Sequence, residues 1–242
     1  MDIGKSFAFV FEDKDWIVKI LLAAAILLVG ILFSWVLLIP AIVAALVLAG
    51  YSVEITRRVI RGQQDELPEW TDWGKLLTDG LKVIVIGIVY ALPIILVSLC
   101  LGIPAGLLAE NAQGLSSVGT MEALSITLSM LLGCLSFLYS IALSIVLPAA
   151  IGFYVDRDDL GAAFRFGEVL SFVRDNFKTY LLTFVMSWVA GLVGSLGALV
   201  CGIGWLVTGP YSYMVTGHLY GQAYRTAMGQ PAPVLDEFDA TV

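Results

Sequence analysis

Long apolar runs separated by short polar joints dominate the chain, and their lengths set the first reading. Six runs stand out, at residues 16–38, 41–60, 81–101, about 124–155, 179–199 and 203–225. A helix needs about 20 predominantly apolar residues to cross the hydrocarbon core of a bilayer, so each run has the length of a transmembrane span. Pro40 punctuates a tight hairpin between the first two, and Pro93 lies inside the third. The fourth is long enough to require tilt or a kink at Pro148. Between the third and fourth, GIPAGLLAENAQGLSSVGT reads as a loop. The first run has no small-residue cleavage site after it and reads as a retained helix.

The joints carry a second, helical period. Pro68 suits the first position of a helix, with Glu69 and Asp72 in the first turn, where the helix dipole favours acids. Trp70, Trp73, Leu77 and Leu81 then fall on one face, against Asp72, Lys75, Asp79 and Lys82 on the other, with Lys75 and Asp79 four apart. Later, Phe166, Val169, Leu170, Val173 and Phe177 line a face opposite Arg165, Glu168 and Asp175. Helices of this pattern lie in the membrane interface. They serve there as anchors or packing, or as a docking platform for a partner or for lipid headgroups.

These segments repeat. Ile3-Gly4-Lys5-Ser6-Phe7-Ala8-Phe9-Val10 matches Phe166-Gly167-Glu168-Val169-Leu170-Ser171-Phe172-Val173, and Trp73-Gly74-Lys75-Leu76-Leu77 is a shorter third copy. Gly50…Arg58…Gly62-Gln63 and Gly217…Arg225…Gly229-Gln230 share their spacing. The predicted fold is an all-α integral membrane protein of six transmembrane helices. It comprises three parallel repeats, each an interfacial helix followed by two spans, over about 1–64, 65–158 and 159–229. Residues 230–242 form an acidic, flexible tail.

Composition agrees: 59% of the residues are hydrophobic, 14% are charged and mean hydropathy is +0.92, far outside soluble usage. The net charge of −7, with acids among the bases, argues against nucleic acid. All 13 Lys and Arg fall at or beside the termini and the joints after the second and fourth runs. By the positive-inside rule both termini are cytoplasmic.

Chemistry is sparse. The middles of the six runs lack Asp, Glu, Lys and Arg, and Glu54 is the deepest acid. One histidine without a neighbouring acid makes no zinc site, and neither GxSxG nor a P-loop occurs. The expectation is a protein with no catalytic residues, metal or cofactor. Cys100, Cys134 and Cys201 read as buried small hydrophobes, although Cys100 and Cys201 fall near one outer surface and leave a disulfide open. Arg57, Arg58, Arg61, Trp70 and Trp73 are candidate contacts for a lipid headgroup or protein partner, with Glu54 within helical reach of Arg57 and Arg58. In the last run Tyr211, His218 and Gln222 share a face and form the candidate intramembrane polar site. Ala190, Gly194 and Ala198, with Gly191 and Ser195 alongside, allow close helix packing, inside the bundle or in a homo-oligomer. Glu110 and Glu122, the charges of the outer side, belong to a solvated loop.

LPEWTDWG, AFRFGEVLSFVRDN and HLYGQAYR resemble a prokaryotic membrane-protein family catalogued as a domain of unknown function, number four thousand and thirteen. The resemblance runs from the first amphipathic segment to Gln230. It implies a multi-span protein of a prokaryotic cytoplasmic membrane and supplies no activity. The functional expectation is a non-enzymatic module binding lipid or a protein partner at its cytoplasmic face, with a permease or channel for a small neutral or apolar solute as the alternative.

Overall fold

The computed structural model describes residues 1–34, 38–63, 66–112, 118–199 and 204–230, and every regular element among them is helical. In chain order these are α1 (Ile3–Glu12), α2 (Trp16–Ser34), α3 (Ile39–Ile60), α4 (Trp73–Ala112) and α5 (Val118–Arg157). Then follow α6 (Leu160–Ala163), α7 (Phe166–Asp175), α8 (Phe177–Leu196), a 3-10 turn (Gly197–Leu199) and α9 (Trp205–Ala227). Cys201 and residues 231–242 lie outside the described residues, as does the side chain of Glu110. Cys100 and Cys134 are exposed free thiols, not buried small hydrophobes.

Local chemistry sets several boundaries. The Asp2 carboxylate accepts from the Lys5 backbone N–H at 2.9 Å and caps α1. Asp72 does the same for Lys75 at 3.1 Å, so α4 begins at Trp73 and not at Pro68. At the far ends, α3 and α9 close alike. Gly62 (φ 90°) and Gly229 (φ 70°) adopt the left-handed conformation that glycine tolerates best. The Gln63 N–H then reaches back to the Arg58 carbonyl at 2.9 Å, and the Gln230 N–H to the Arg225 carbonyl at 3.0 Å.

Among the described residues, five helices are long and apolar enough to cross a membrane, over Trp16–Phe33, Ile39–Ile60, Trp73–Leu107, Glu122–Arg157 and Phe177–Leu199. The segment expected to be a loop, residues 102–120, is instead largely helical. α4 runs through Pro93 and Pro104 to Ala112, and α5 starts at Val118. α9 has 23 residues but too many polar ones to meet the same compositional test. It packs against α1, α2, α3 and α8, so protein surrounds much of it.

The chain divides into two compact units. The first comprises Met1–Ile86 and Pro148–Val242, the second Gly87–Leu147. The first unit holds a core of Phe9, Ile20, Val47, Tyr51, Ile55, Leu67, Trp70 and Met214. In the second, Tyr139 donates to the Tyr90 carbonyl at 2.6 Å and Ser125 to that of Ala105 at 3.0 Å. Large apolar side chains there, such as Leu96, Met130, Phe137 and Leu138, are exposed.

Candidate functional site

Three helix-spaced residues of α9 meet one partner. Tyr211 donates its hydroxyl to the Phe7 carbonyl at 2.7 Å, and His218 Nδ1 hydrogen-bonds Ser6 Oγ at 3.1 Å. The Gln222 side-chain oxygen accepts from the Asp2 N–H at 2.8 Å. The His218 ring also stacks on Phe9 at 4.3 Å. The structure therefore brings Tyr211, His218 and Gln222 together on the face that receives α1. His218 and Gln222 are buried, because an amphipathic helix covers polar groups that lipid would leave unsatisfied.

A second buried cluster involves residues far apart in sequence. Arg57 donates from Nη1 to Glu54 at 2.6 Å and to Asp79 at 2.8 Å, and its side chain is 3% exposed. The other Asp79 oxygen accepts the Tyr154 hydroxyl at 2.6 Å. Lys75 Nζ closes the set on Glu54 at 2.9 Å. Asp79 was expected on the polar face of an interfacial helix, paired with Lys75. It lies instead against α3, where Gly50 and Gly80 admit close approach: a methyl on either would collide with the carbonyl of Leu76 or of Leu46. Glu54 is accordingly not the only acid at depth.

A third cluster explains why Pro68 does not begin a helix. Both backbone groups of Leu67 are taken by side chains: its N–H donates to Asp13 at 3.0 Å, and its carbonyl accepts from Lys19 at 3.0 Å. Lys19 also pairs with Asp13 at 2.9 Å and with Glu69 at 2.8 Å. The next carbonyl, of Pro68, accepts the Tyr51 hydroxyl at 2.9 Å. Tyr51 and Trp70 stack at 4.0 Å with planes 4° apart. Burial alone would raise the Asp13 carboxyl, but the Lys19 ammonium and the N–H groups of Asp15 and Leu67 outweigh it and hold the carboxyl below its usual value.

The remaining candidates scatter. Arg57 is buried and committed to carboxylates, and Trp70 is buried against Tyr51. Arg61 and Trp73 are exposed, and Arg58 is half-buried. Arg58 lines a cavity of about 160 Å³ with Glu54, Pro68, Glu69, Thr71, Asp72, Lys75 and Leu76. In α8, Ala190 and Gly194 are buried, and the Gly194 carbonyl accepts from Thr208 of α9 at 2.7 Å; Ala198 is exposed.

The sequence profile of the family described as "Protein of unknown function (DUF4013)" matches residues 32–203, well over half of the chain. The chain belongs to this family. Within this family member, LPEWTDWG and AFRFGEVLSFVRDN lie inside the matched range, whereas HLYGQAYR lies beyond it. No curated protein and no solved structure matches the chain.

Asp79, Lys19, Asp13 and Tyr154 are the polar residues of this DUF4013 protein that sequence reasoning missed. Besides the Asp13–Lys19 pair, six positions apart, they have partners 22, 48, 54 and 75 positions away, beyond any helical period. The available signal was the pair of glycines, Gly50 and Gly80, which marks where two spans cross and hence which face of α4 is covered.

Proposed function

We propose that the protein is a non-enzymatic membrane module that binds phospholipid headgroups at its cytoplasmic face. The carrying observation is the cavity at the α3–α4 joint, where charged side chains stand beside exposed Trp73 at the ends of two spans. Tryptophan and basic residues at span ends belong at headgroup depth. α7 adds to this: Phe166 and Leu170 are exposed on a helix that also carries Arg174, with Arg165 just before it and exposed Phe177 just after it.

In this reading α9 is a sixth span and both termini are cytoplasmic, in a prokaryotic inner membrane. Three parallel repeats underlie the fold. Supporting them, α1, α4 and α7 begin at the aligned residues Ile3, Trp73 and Phe166, and α3 and α9 end in the same glycine cap.

The test is to purify the full chain in mild detergent, identify retained lipid by native mass spectrometry, and measure solute flux in vesicles. Retained phospholipid without flux supports the proposal; flux without lipid retention overturns it. Capture of a protein or a second copy at this face in place of lipid would also count against it.

A permease is the second reading, and one observation favours it. A groove of about 370 Å³ in the second unit is lined by Ile94, Ile95, Ser98, Leu99, Ser136, Tyr139, Ser140 and Leu143. The polar face of α9, however, is occupied by α1 and offers no lining to a solute.

A further inference from the structure

The cavity at the α3–α4 joint points to a more specific ligand, and this inference rests on the lipid-binding reading above. Five of its lining residues are charged: Glu54, Arg58, Glu69, Asp72 and Lys75. Three of them are already neutralised. Glu54 is shared between Arg57 and Lys75, at 2.6 and 2.9 Å, and Glu69 is held by Lys19 at 2.8 Å. Arg58 and Asp72 make no ion pair among the described residues. The wall of the cavity thus presents one positive and one negative group not already paired among the described residues.

Geometry adds to the charge count. Arg58 stands in the last turn of α3 and Asp72 at the N-cap of α4, at the ends of two candidate spans. The space between them is about 160 Å³, room for about five water molecules. That accommodates a small polar group. The Tyr51–Trp70 stack and the hydrogen bonds to Leu67 fix residues 67–70 just ahead of Asp72, so its carboxylate is presented by a preorganised frame.

We infer that this cavity binds the zwitterionic headgroup of an amino-phospholipid, with Arg58 on the phosphate and Asp72 on the primary ammonium. A guanidinium matches a phosphate by donating paired N–H bonds. A primary ammonium carries three donors that a carboxylate accepts, whereas a quaternary ammonium carries none. A glycerol headgroup has no cation for Asp72 to bind. The cavity therefore favours phosphoethanolamine over phosphocholine and phosphoglycerol heads. The same chemistry occurs in free O-phosphoethanolamine, which lacks the acyl chains that a site at span ends would also engage.

The experiment uses the full chain in detergent. Short-chain phosphatidylethanolamine, phosphatidylcholine and phosphatidylglycerol, and free O-phosphoethanolamine, are titrated against native-mass-spectrometry occupancy and thermal midpoint. Expected is tightest binding of phosphatidylethanolamine. Loss of a charge-assisted contact in Arg58→Gln should weaken it by about tenfold or more. Asp72→Asn keeps an amide oxygen to cap α4 but removes the charge, so it should abolish the preference over phosphatidylcholine while leaving the phosphate contact. If Arg58→Gln does not fold, the Asp72→Asn preference ratio decides alone. Binding of free phosphoethanolamine as tight as the lipid would assign the site to a soluble zwitterion and overturn the lipid assignment. Equal binding of the three lipids, or a preference untouched by Asp72→Asn, overturns this inference and leaves the general lipid reading standing. No lipid bound by any form sinks both.

Discussion

Helix α9 and the stretch Gly87–Leu147 reverse the arrangement familiar from soluble proteins. α9 is the more polar, yet His218, Gln222, Leu219 and Ala223 are buried. The second unit is dense in Leu and Ile, and exposes most of them among the described residues. In water this would be an inverted fold. In lipid it is the expected one, because hydrocarbon tolerates leucine and penalises an unsatisfied hydrogen-bonding group. Polar residues therefore choose which helix is central, and close packing chooses its neighbours. A hydropathy test applied segment by segment passes over α9 for the reason that makes it central.

That contrast is open to attack at four points. The largest effect is expected at Asp79. Its replacement by Ala strips a buried Arg57 of one carboxylate, and breaking such a pair costs about 3–5 kcal/mol. Unfolding in mixed micelles should show it, and a loss below about 1 kcal/mol would mean that Arg57 is satisfied by Glu54 alone. Next comes Gly217→Ala. A methyl there would lie 2.6 Å from the Ser52 carbonyl oxygen, in the α3–α9 contact. Overpacking of this kind costs about 1–3 kcal/mol, and the same assay should report a lower midpoint.

The third is a pH effect at Asp13. Its carboxyl is held below the ordinary value of 3.8 in the folded chain, so the folded state binds fewer protons there than the unfolded one. The stabilisation is present above that ordinary value and disappears as pH falls through the lower folded one. Comparing unfolding midpoints from about pH 5 to about pH 3, the wild type should lose more than Asp13→Asn. Equal slopes would detach Asp13 from the acid response. The smallest effect is expected in the second unit. Leu138 is 64% exposed, and Leu138→Ala should stay within about 0.5 kcal/mol. A larger loss would show that this surface is covered by protein and not by lipid.

The starting residues of α1 and α7 follow from local pattern, as do the glycine caps of α3 and α9. The shared face of Tyr211, His218 and Gln222 was also legible, since it needs only the spacing of seven and four on one helix. What covers that face was not, because α1 lies more than 200 positions away. LPEW misled for a similar reason. Its proline and acids read as a helix start, but Asp13, Lys19 and Tyr51 bind the backbone of Leu67 and Pro68 and hold the segment out of a helix. Asp79 was placed on a polar face because its period allows that. Only the Gly50–Gly80 crossing shows that the face is covered.

By itself the sequence determined that this chain builds helices long and apolar enough to cross a membrane, and where most of them begin and end. Those outcomes depend on runs of neighbouring residues and on hydrogen bonds three to five positions long. Tertiary structure alone decided that Arg57, Asp79 and Tyr154 join, that α1 covers α9, and that Arg58 and Asp72 face one small cavity. Each depends on contacts between distant helices, which no local period encodes.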